Sequence, residues 1–162
     1  MSSEDSAAAL VALRRIIRFL RLADREAEGA YGLSAAQLFV LHCLADSPAG
    51  SLAELAERTL TDQSSVSIVV SRLETKRLLT RKTSPVDRRR IELKLTPAGK
   101  KIVATGPAAP QPKIIAAIDG LPAARRTEVV RALELLASAM GADDLEPLML
   151  FEEPEPKRTR RR

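Results

Sequence analysis

A serine-rich stretch in the middle of the chain, residues 62–75, carries the residue types that best suit a chemical task. Its apolar residues recur with helical spacing and define one buried face: Val66, Val69, Val70 and Leu73. The opposite face is short-chained and almost uncharged: Ser64, Ile68, Ser71 and Thr75, flanked by Ser67 and Arg72. Small hydroxyl groups bond base edges or phosphates in the major groove of DNA, and isoleucine contacts thymine methyl groups. The pattern predicts a helix that reads DNA; the alternative is an ordinary serine-rich helix in a helical domain.

The start of this helix offers a second chemical feature. Asp62 is the predicted N-cap, because a carboxylate accepts hydrogen bonds from the free backbone N–H groups of a first helical turn. Gln63, Ser64 and Ser65 then occupy that turn, where the helix dipole favours an anion. We therefore expect the turn to contact a DNA phosphate.

The charge of the segment that follows supports the same interpretation. Residues 72–101 contain eleven Lys or Arg and three acidic residues, a local excess of eight positive charges. Two strand-like runs, LLTRK and IELKL, flank the sequence DRRR, which places Arg88, Arg89 and Arg90 at the tip of a predicted hairpin. Arginine at such a tip enters a minor groove, whose negative potential attracts it, and Asp87 is placed to orient a guanidinium. The alternative is a solvated loop.

The elements that must position these residues can also be read from the sequence. Residues 51–60 have the pattern of a short capped helix, and Thr96-Pro97 begins another helix after the hairpin. Two helices followed by a two-stranded hairpin form a winged helix-turn-helix. We therefore predict a mainly α fold of the α+β class, in which the hairpin is the β part.

Residues 33–101 resemble the core of the MarR family, the multiple-antibiotic-resistance regulators of bacteria and archaea. The matching motifs are LS-x-x-Q, LAE-L-A, Q-S-S-V-S ending in R-L-E, D-R-R and L-T-P-A-G, and their spacing also fits. The resemblance implies a homodimeric transcription factor that responds to a ligand or to redox state and usually represses nearby genes. It also implies that Arg89 is the minor-groove arginine and that Asp87 holds it.

The resemblance further implies a small-molecule effector, because the family places phenolic or other small aromatic ligands near helices one, two and five. His42 is a weak candidate contact, since it is the lone titratable group on an otherwise apolar helix, where a satisfied core histidine is more usual. Cys43 lies among Val40, Leu41 and Leu44 and is expected to be a small buried hydrophobe. The alternative is a redox-responsive regulator that uses Cys43.

The two ends of the chain are predicted to build a dimer. Residues 6–27 and 122–140 have helical patterns with apolar residues on more than one side, and a fuller monomeric core is the alternative. The sequence GPAAPQP predicts a kink or break in the connecting helix near 106–111. The predicted organisation is a dimerisation helix (1–32), the winged helix-turn-helix domain (33–101), C-terminal dimerisation helices (102–148) and a disordered basic tail (149–162).

Composition narrows the function classes. With one cysteine and one histidine, the sequence has no His/Cys cluster that could bind a metal ion. It also has no Gly-rich phosphate-binding loop, so we expect no cofactor. No apolar run approaches a membrane span and the N-terminus does not resemble a signal peptide, so we expect a cytoplasmic protein. An enzyme is disfavoured because no residues remain for a catalytic domain. A protein-interaction module is disfavoured because such modules tend to lose the basic wing that this chain keeps.

Overall fold

The computed structural model describes residues 2–83 and 91–152. The predicted wing-tip residues Asp87, Arg88, Arg89 and Arg90 lie outside the described residues, as does 153–162 of the predicted tail. The described part forms seven helices and two strands: α1 (Ser2–Tyr31), α2 (Ala35–Asp46), α3 (Leu52–Thr59), α4 (Gln63–Thr75), β1 (Leu79–Thr83), β2 (Ile91–Leu95), α5 (Pro97–Thr105), α6 (Pro110–Asp119) and α7 (Ala123–Ala139). This order confirms the predicted winged helix-turn-helix and the mainly α fold class.

The hydrophobic core is centred on α2. Every residue from Ala35 to Leu41 is buried, because α1, α3, α4, α5 and α6 all pack around this helix. Helix α3 adds Leu55 and Ala56 to the core, and α4 adds the four residues of its predicted apolar face. The core is almost entirely aliphatic, as the low aromatic content of 2% requires.

Helices α2, α3 and α5 begin where a side-chain oxygen satisfies a free backbone N–H group. The Ser34 hydroxyl accepts from the amide of Gln37 at 3.1 Å, and the Ser51 hydroxyl accepts from that of Glu54 at 3.0 Å. Thr96 caps α5 in the same way, and Pro97 follows it at the first helical position. These local signals fix the first residues of α2, α3 and α5.

The wing is an antiparallel pair of strands. Leu79 pairs with Leu95, Arg81 with Leu93, and Thr83 with Ile91. Leu93 is fully buried and exchanges two backbone hydrogen bonds with Ala49, at 2.8 and 3.1 Å, which ties the wing to the loop before α3. Of the three apolar residues predicted to alternate in IELKL, Leu93 lies in the core, Leu95 is half-buried and Ile91 is exposed.

The connecting helix is interrupted, as the sequence predicted. Helix α5 ends at Thr105, and α6 begins at Pro110 after a short extended segment. Pro110 occupies the first turn of α6, where a missing N–H group costs nothing. Of the two predicted alternatives, a kink or a break, the structure has the break.

The two terminal helices leave large apolar side chains exposed. Over Ala123–Ala139 no residue of α7 is buried, and most of α1 is also exposed. The exposed apolar residues on these helices include Leu10, Val11, Ile16, Ile17, Phe19, Leu22, Val130, Leu133, Leu135 and Leu136.

After α7 the chain returns to the core around α2 as an irregular stretch, residues 145–152, here called the C-terminal segment. Met149 and Glu152 are 6% and 9% exposed, and Met149 joins the hydrophobic core. The sequence placed 149–162 in a disordered tail, so this prediction is wrong for residues 149–152. It failed because Met149 is buried by residues far away in sequence.

Candidate DNA-binding surface

Helix α4 has one buried face and one accessible face. Val66, Val69, Val70 and Leu73 are fully buried against the core. Gln63, Ser64 and Thr75 are exposed, and Ser67, Ile68 and Ser71 are half-buried. The predicted reading face is therefore accessible and almost uncharged, which suits entry into the major groove.

Ser65 lies on the other side of the helix from the predicted reading face. Its side chain is only 2% exposed, and its hydroxyl donates to Asp62 Oδ2 at 2.6 Å. Its backbone N–H also donates to Asp62 Oδ1, at 2.9 Å. Ser65 therefore fixes the start of α4, and we withdraw it from the predicted DNA contacts.

Asp62 is the N-cap of α4, as predicted. Hydrogen bonds from the Ser64 hydroxyl, and then from the hydroxyl and the backbone N–H of Ser65, hold the pKa of Asp62 well below its ordinary value. The first turn of α4 thus already holds an anion. The expected phosphate contact at this turn is therefore not assigned, because two negative charges would compete for the same N–H groups.

The structure also gives Arg72 a partner other than the DNA contact that the sequence predicts. It lies at the edge of the reading face with its side chain 33% exposed, and its guanidinium forms an ion pair with Glu152 of the C-terminal segment. The other carboxylate oxygen of Glu152 accepts a hydrogen bond from the hydroxyl of Ser34. Arg72, which the sequence predicts to contact DNA, is therefore paired with Glu152, an acidic residue that the sequence pattern did not single out.

The described part of the wing carries basic residues beside α4. Arg81 pairs with Glu74 at 3.6 Å, Lys94 pairs with Glu92 at 2.9 Å, and Lys82 is exposed. The hairpin leads toward the four wing-tip residues that lie outside the described part. Their predicted roles stay predictions.

His42 and Cys43 occupy structural positions on α2. His42 Nε2 lies 3.3 Å from the carbonyl oxygen of Pro107, in the break between α5 and α6. This contact fits the satisfied core histidine better than the ligand contact. Burial raises the pKa of the Cys43 thiol despite the nearby positive charge of Arg58, so the thiol is not activated.

Two residues that the sequence pattern did not single out, Thr61 and Gln111, both line a cavity between the turn that precedes α4 and the first turns of α6. Both carry buried polar atoms that have no hydrogen-bond partner in the described part of the chain. Local sequence patterns gave no signal for this pair, because fifty residues separate the two in the chain.

The described residues offer neither a metal site nor a membrane span. In 2–83 and 91–152, no three His, Cys, Asp or Glu side chains are grouped so that they could hold a metal ion. No helix in the same ranges combines the length and the apolar character that crossing a bilayer requires.

Comparison with known proteins gives a consistent result. The family model described as MarR family matches residues 31–90. A putative transcriptional regulatory protein for the hcr operon of Thauera aromatica is 36% identical over 95 residues, which cover 59% of this chain and 53% of that protein. The HTH-type transcriptional repressor MdtR of Bacillus subtilis is 41% identical over 68 residues, covering 42% and 44% of the two chains.

The structural comparison extends over more of the chain. The structure of BpsR from Bordetella bronchiseptica, described in terms of regulation of its DNA binding by 6-hydroxynicotinic acid, has a TM-score of 0.53 and 28% identity. The match covers 80% of this chain and 91% of that one. By contrast, this chain spans only about half the length of the curated relatives it matches. The family is one of DNA-binding proteins without enzymatic activity. The fold, the match over residues 31–90 and these relatives make this chain similar to the MarR family, and its described residues form the winged helix-turn-helix.

Proposed function

We propose that this chain is a homodimeric regulator of transcription that binds double-stranded DNA sequence-specifically, represses nearby genes and is released from its operator by a small molecule. The observation that carries the proposal is the accessible face of α4, which is hydroxyl-rich and almost uncharged although the helix lies on the surface. A surface helix without a partner is usually rich in charged pairs. The proposal places the protein in the cytoplasm, where such a DNA target is reached.

Sequence reading is assigned to Gln63, Ser64, Ser67, Ile68 and Ser71 in the major groove. Arg89 is assigned to the minor groove, with Asp87 orienting it and with Arg88 and Arg90 on phosphates. In a dimer the two α4 helices read a pseudo-palindromic operator whose half-sites are about one helical turn, roughly 34–36 Å, apart. Phosphate contacts supply affinity, and the groove contacts supply specificity.

The proposed dimer uses the apolar faces of α1 and α7. Large exposed apolar patches on a protein surface mark interaction sites, and here they lie on two helices that bury little within one chain. The residues involved on α7, Leu133 and Leu136, are 53% and 44% exposed. A second copy covers both helices with one symmetric contact.

The decisive experiment is a gel shift with the DNA upstream of the chain's own coding region. Ser67→Ala is expected to weaken binding by about 1–3 kcal/mol and to relax base preference at particular positions of each half-site. Ser138→Ala is the matched control, because Ser138 is an exposed serine at the end of α7 whose hydroxyl donates to Asp143. Protection of a single asymmetric half-site by a monomer would contradict the proposal.

The wing is tested separately through salt dependence. Arg88→Ala and Arg90→Ala each remove one proposed partner of a phosphate, and each should flatten the slope of log affinity against log salt by about one unit. Arg89→Ala should lower affinity most on operators with A/T-rich flanks, where the minor groove is narrow. Arg125→Ala removes an exposed arginine of α7 and serves as the control. Unchanged affinity and slope in all three wing variants would show that the wing does not touch DNA.

The effector is the least specified part of the proposal. Its support is the family resemblance together with the description of BpsR as regulated by 6-hydroxynicotinic acid. Phenols and aromatic acids should be tested for their effect on DNA affinity and on melting temperature. If no compound in that panel changes either quantity, this class of effector is excluded.

A further inference from the structure

One buried carboxylate joins the C-terminal segment to the reading helix. The side chain of Glu152 is only 3% exposed. One of its oxygens accepts a hydrogen bond from the hydroxyl of Ser34, the N-cap of α2, and the other pairs with the guanidinium of Arg72 in the last turn of α4. The last described residue of the chain is therefore attached to the helix that is proposed to read DNA.

This carboxylate resembles the group that Arg72 would meet on DNA. A guanidinium binds carboxylates and phosphates with the same N–H donors, and its single positive charge is neutralised by the first anion that it pairs with. Glu152 also places a negative charge at the edge of the reading face, where it repels the phosphates of an approaching duplex. A docked Glu152 therefore opposes DNA binding both by occupying Arg72 and by its own charge.

The C-terminal segment is held in place by few side chains. Of residues 145–152, only Met149 and Glu152 are buried. Met149 packs into the hydrophobic core, whereas Leu145 and Phe151 are 71% and 39% exposed. A stretch with so few buried contacts opens locally at a small fraction of the free energy of unfolding. The segment can therefore leave α4 while the rest of the fold stays intact.

The backbone of the docked segment is also strained. Phe151 has a φ of 64°, in the left-handed region that is unfavourable for a bulky side chain. Glu152, which follows it, donates its backbone N–H to the carbonyl oxygen of Met149 at 3.0 Å and closes a tight turn. Such a conformation persists only where surrounding contacts hold it. The strain at Phe151 therefore favours release and opposes the two buried anchors, Met149 and Glu152.

We propose that the C-terminal segment is autoinhibitory: it holds Arg72 in the free protein, and it must leave α4 before Arg72 takes the DNA contact that the sequence predicts. The inference deepens the proposed function, on which its effect on DNA binding rests. Because DNA and the docked segment exclude each other at Arg72, each weakens the binding of the other by the same factor. Regulation of the reading helix is thus built into the chain itself.

The first test is a gel shift of the full chain with the DNA upstream of its own coding region. Glu152→Gln removes the charge that holds Arg72 and should raise DNA affinity about tenfold, since an ionised acceptor binds a guanidinium more strongly than a neutral one. Glu146→Gln is the matched control, because Glu146 is an exposed acidic residue of the same segment and its replacement changes the net charge equally. This variant should change affinity less than about twofold, because exposed charges are screened by salt. Wild-type affinity in Glu152→Gln, or equal gains in both variants, would overturn the proposal.

The second test asks whether the gain passes through Arg72. Arg72→Gln should weaken DNA binding, because it removes the guanidinium for which DNA and Glu152 compete. Adding Glu152→Gln to Arg72→Gln should then raise affinity less than about twofold, since there is no longer a guanidinium to release. A tenfold gain in this background as well would show that Glu152 acts without Arg72 and would refute the proposed competition.

Hydrogen exchange on the full chain follows the segment directly. The backbone N–H of Glu152 is protected while it donates to Met149. Saturating DNA should speed exchange at residues 149–152 about tenfold, and Glu152→Gln should do so without DNA. Unchanged exchange in Glu152→Gln would overturn the proposal whether or not DNA binds. Failure of all variants to bind DNA, with faster exchange in Glu152→Gln, would instead contradict the proposed function, so the two failures are distinguishable.

Discussion

Replacement of Asp62 by alanine should test the start of the reading helix. The Asp62 carboxylate accepts from the Ser65 backbone N–H at 2.9 Å, from the Ser65 hydroxyl at 2.6 Å and from the Ser64 hydroxyl at 2.5 Å. Losing an N-cap costs about 1 kcal/mol, and leaving the buried Ser65 hydroxyl unpaired costs about 1–3 kcal/mol more. Asp62→Ala should therefore lower the free energy of unfolding by about 2–4 kcal/mol.

Urea unfolding at one fixed protein concentration is the assay, because the stability of an oligomer depends on concentration. Asp62→Ser is the control, since serine also caps helices well and should cost far less. The double variant Asp62→Ala with Ser65→Ala should recover about 1 kcal/mol relative to the sum of the two single variants, because the stranded hydroxyl is then absent. A decrease below about 0.5 kcal/mol in Asp62→Ala, the range of ordinary surface substitutions, would refute this account of the cap.

The same contact predicts a pH dependence. Because the folded state lowers the pKa of Asp62, the unfolded chain binds the proton more readily, and the stabilisation is fully present above the ordinary aspartate value near pH 3.9. It is lost as the pH falls below that value toward the lowered pKa of the folded state. The stability difference between wild type and Asp62→Ala should therefore be constant from about pH 5 to 7 and shrink below about pH 4.

Three further predictions concern other parts of the chain. Gly99→Ala should lower the free energy of unfolding, measured in urea, by about 1–3 kcal/mol, because a Cβ at this position would lie 2.1 Å from the backbone oxygen of Leu78. Gly29→Ala is the control. A Cβ at Gly29 would meet nothing within 4 Å, so this variant should be neutral or stabilising. Cys43→Ser should leave DNA binding and its response to peroxide unchanged, and loss of peroxide-triggered release would overturn this. Leu133→Glu should produce monomers in sedimentation; an unchanged dimer would place the interface elsewhere.

The winged helix-turn-helix could be predicted because its signals are local. The apolar face of α4, the caps at Ser51 and Thr96, and the alternation around Leu93 each occupy a few neighbouring residues. Such patterns depend on the 3.6-residue and two-residue periods of helix and strand, which the chain shows directly. The break at Gly106 was predictable for the same reason, since proline restricts its own backbone and that of its neighbour.

The misassigned residues all depend on contacts that the local pattern does not contain. Ser65 was predicted to lie in the first turn of α4 beside a DNA phosphate, but the folded chain directs its hydroxyl to Asp62. Glu152 contacts Ser34 and Arg72 across 118 and 80 residues of sequence. No periodicity relates such distant positions, so only the folded chain shows that the C-terminal segment belongs to the DNA-binding lobe.

Arg72 shows why a set of residue types alone does not define a DNA-binding surface. A guanidinium that is paired with a buried carboxylate must leave that carboxylate before it can contact DNA, and the carboxylate is then left buried without its counterion. Release is favourable only if residues 147–152 move with Glu152 into water, which also uncovers Met149. The availability of Arg72 therefore depends on whether the C-terminal segment stays packed.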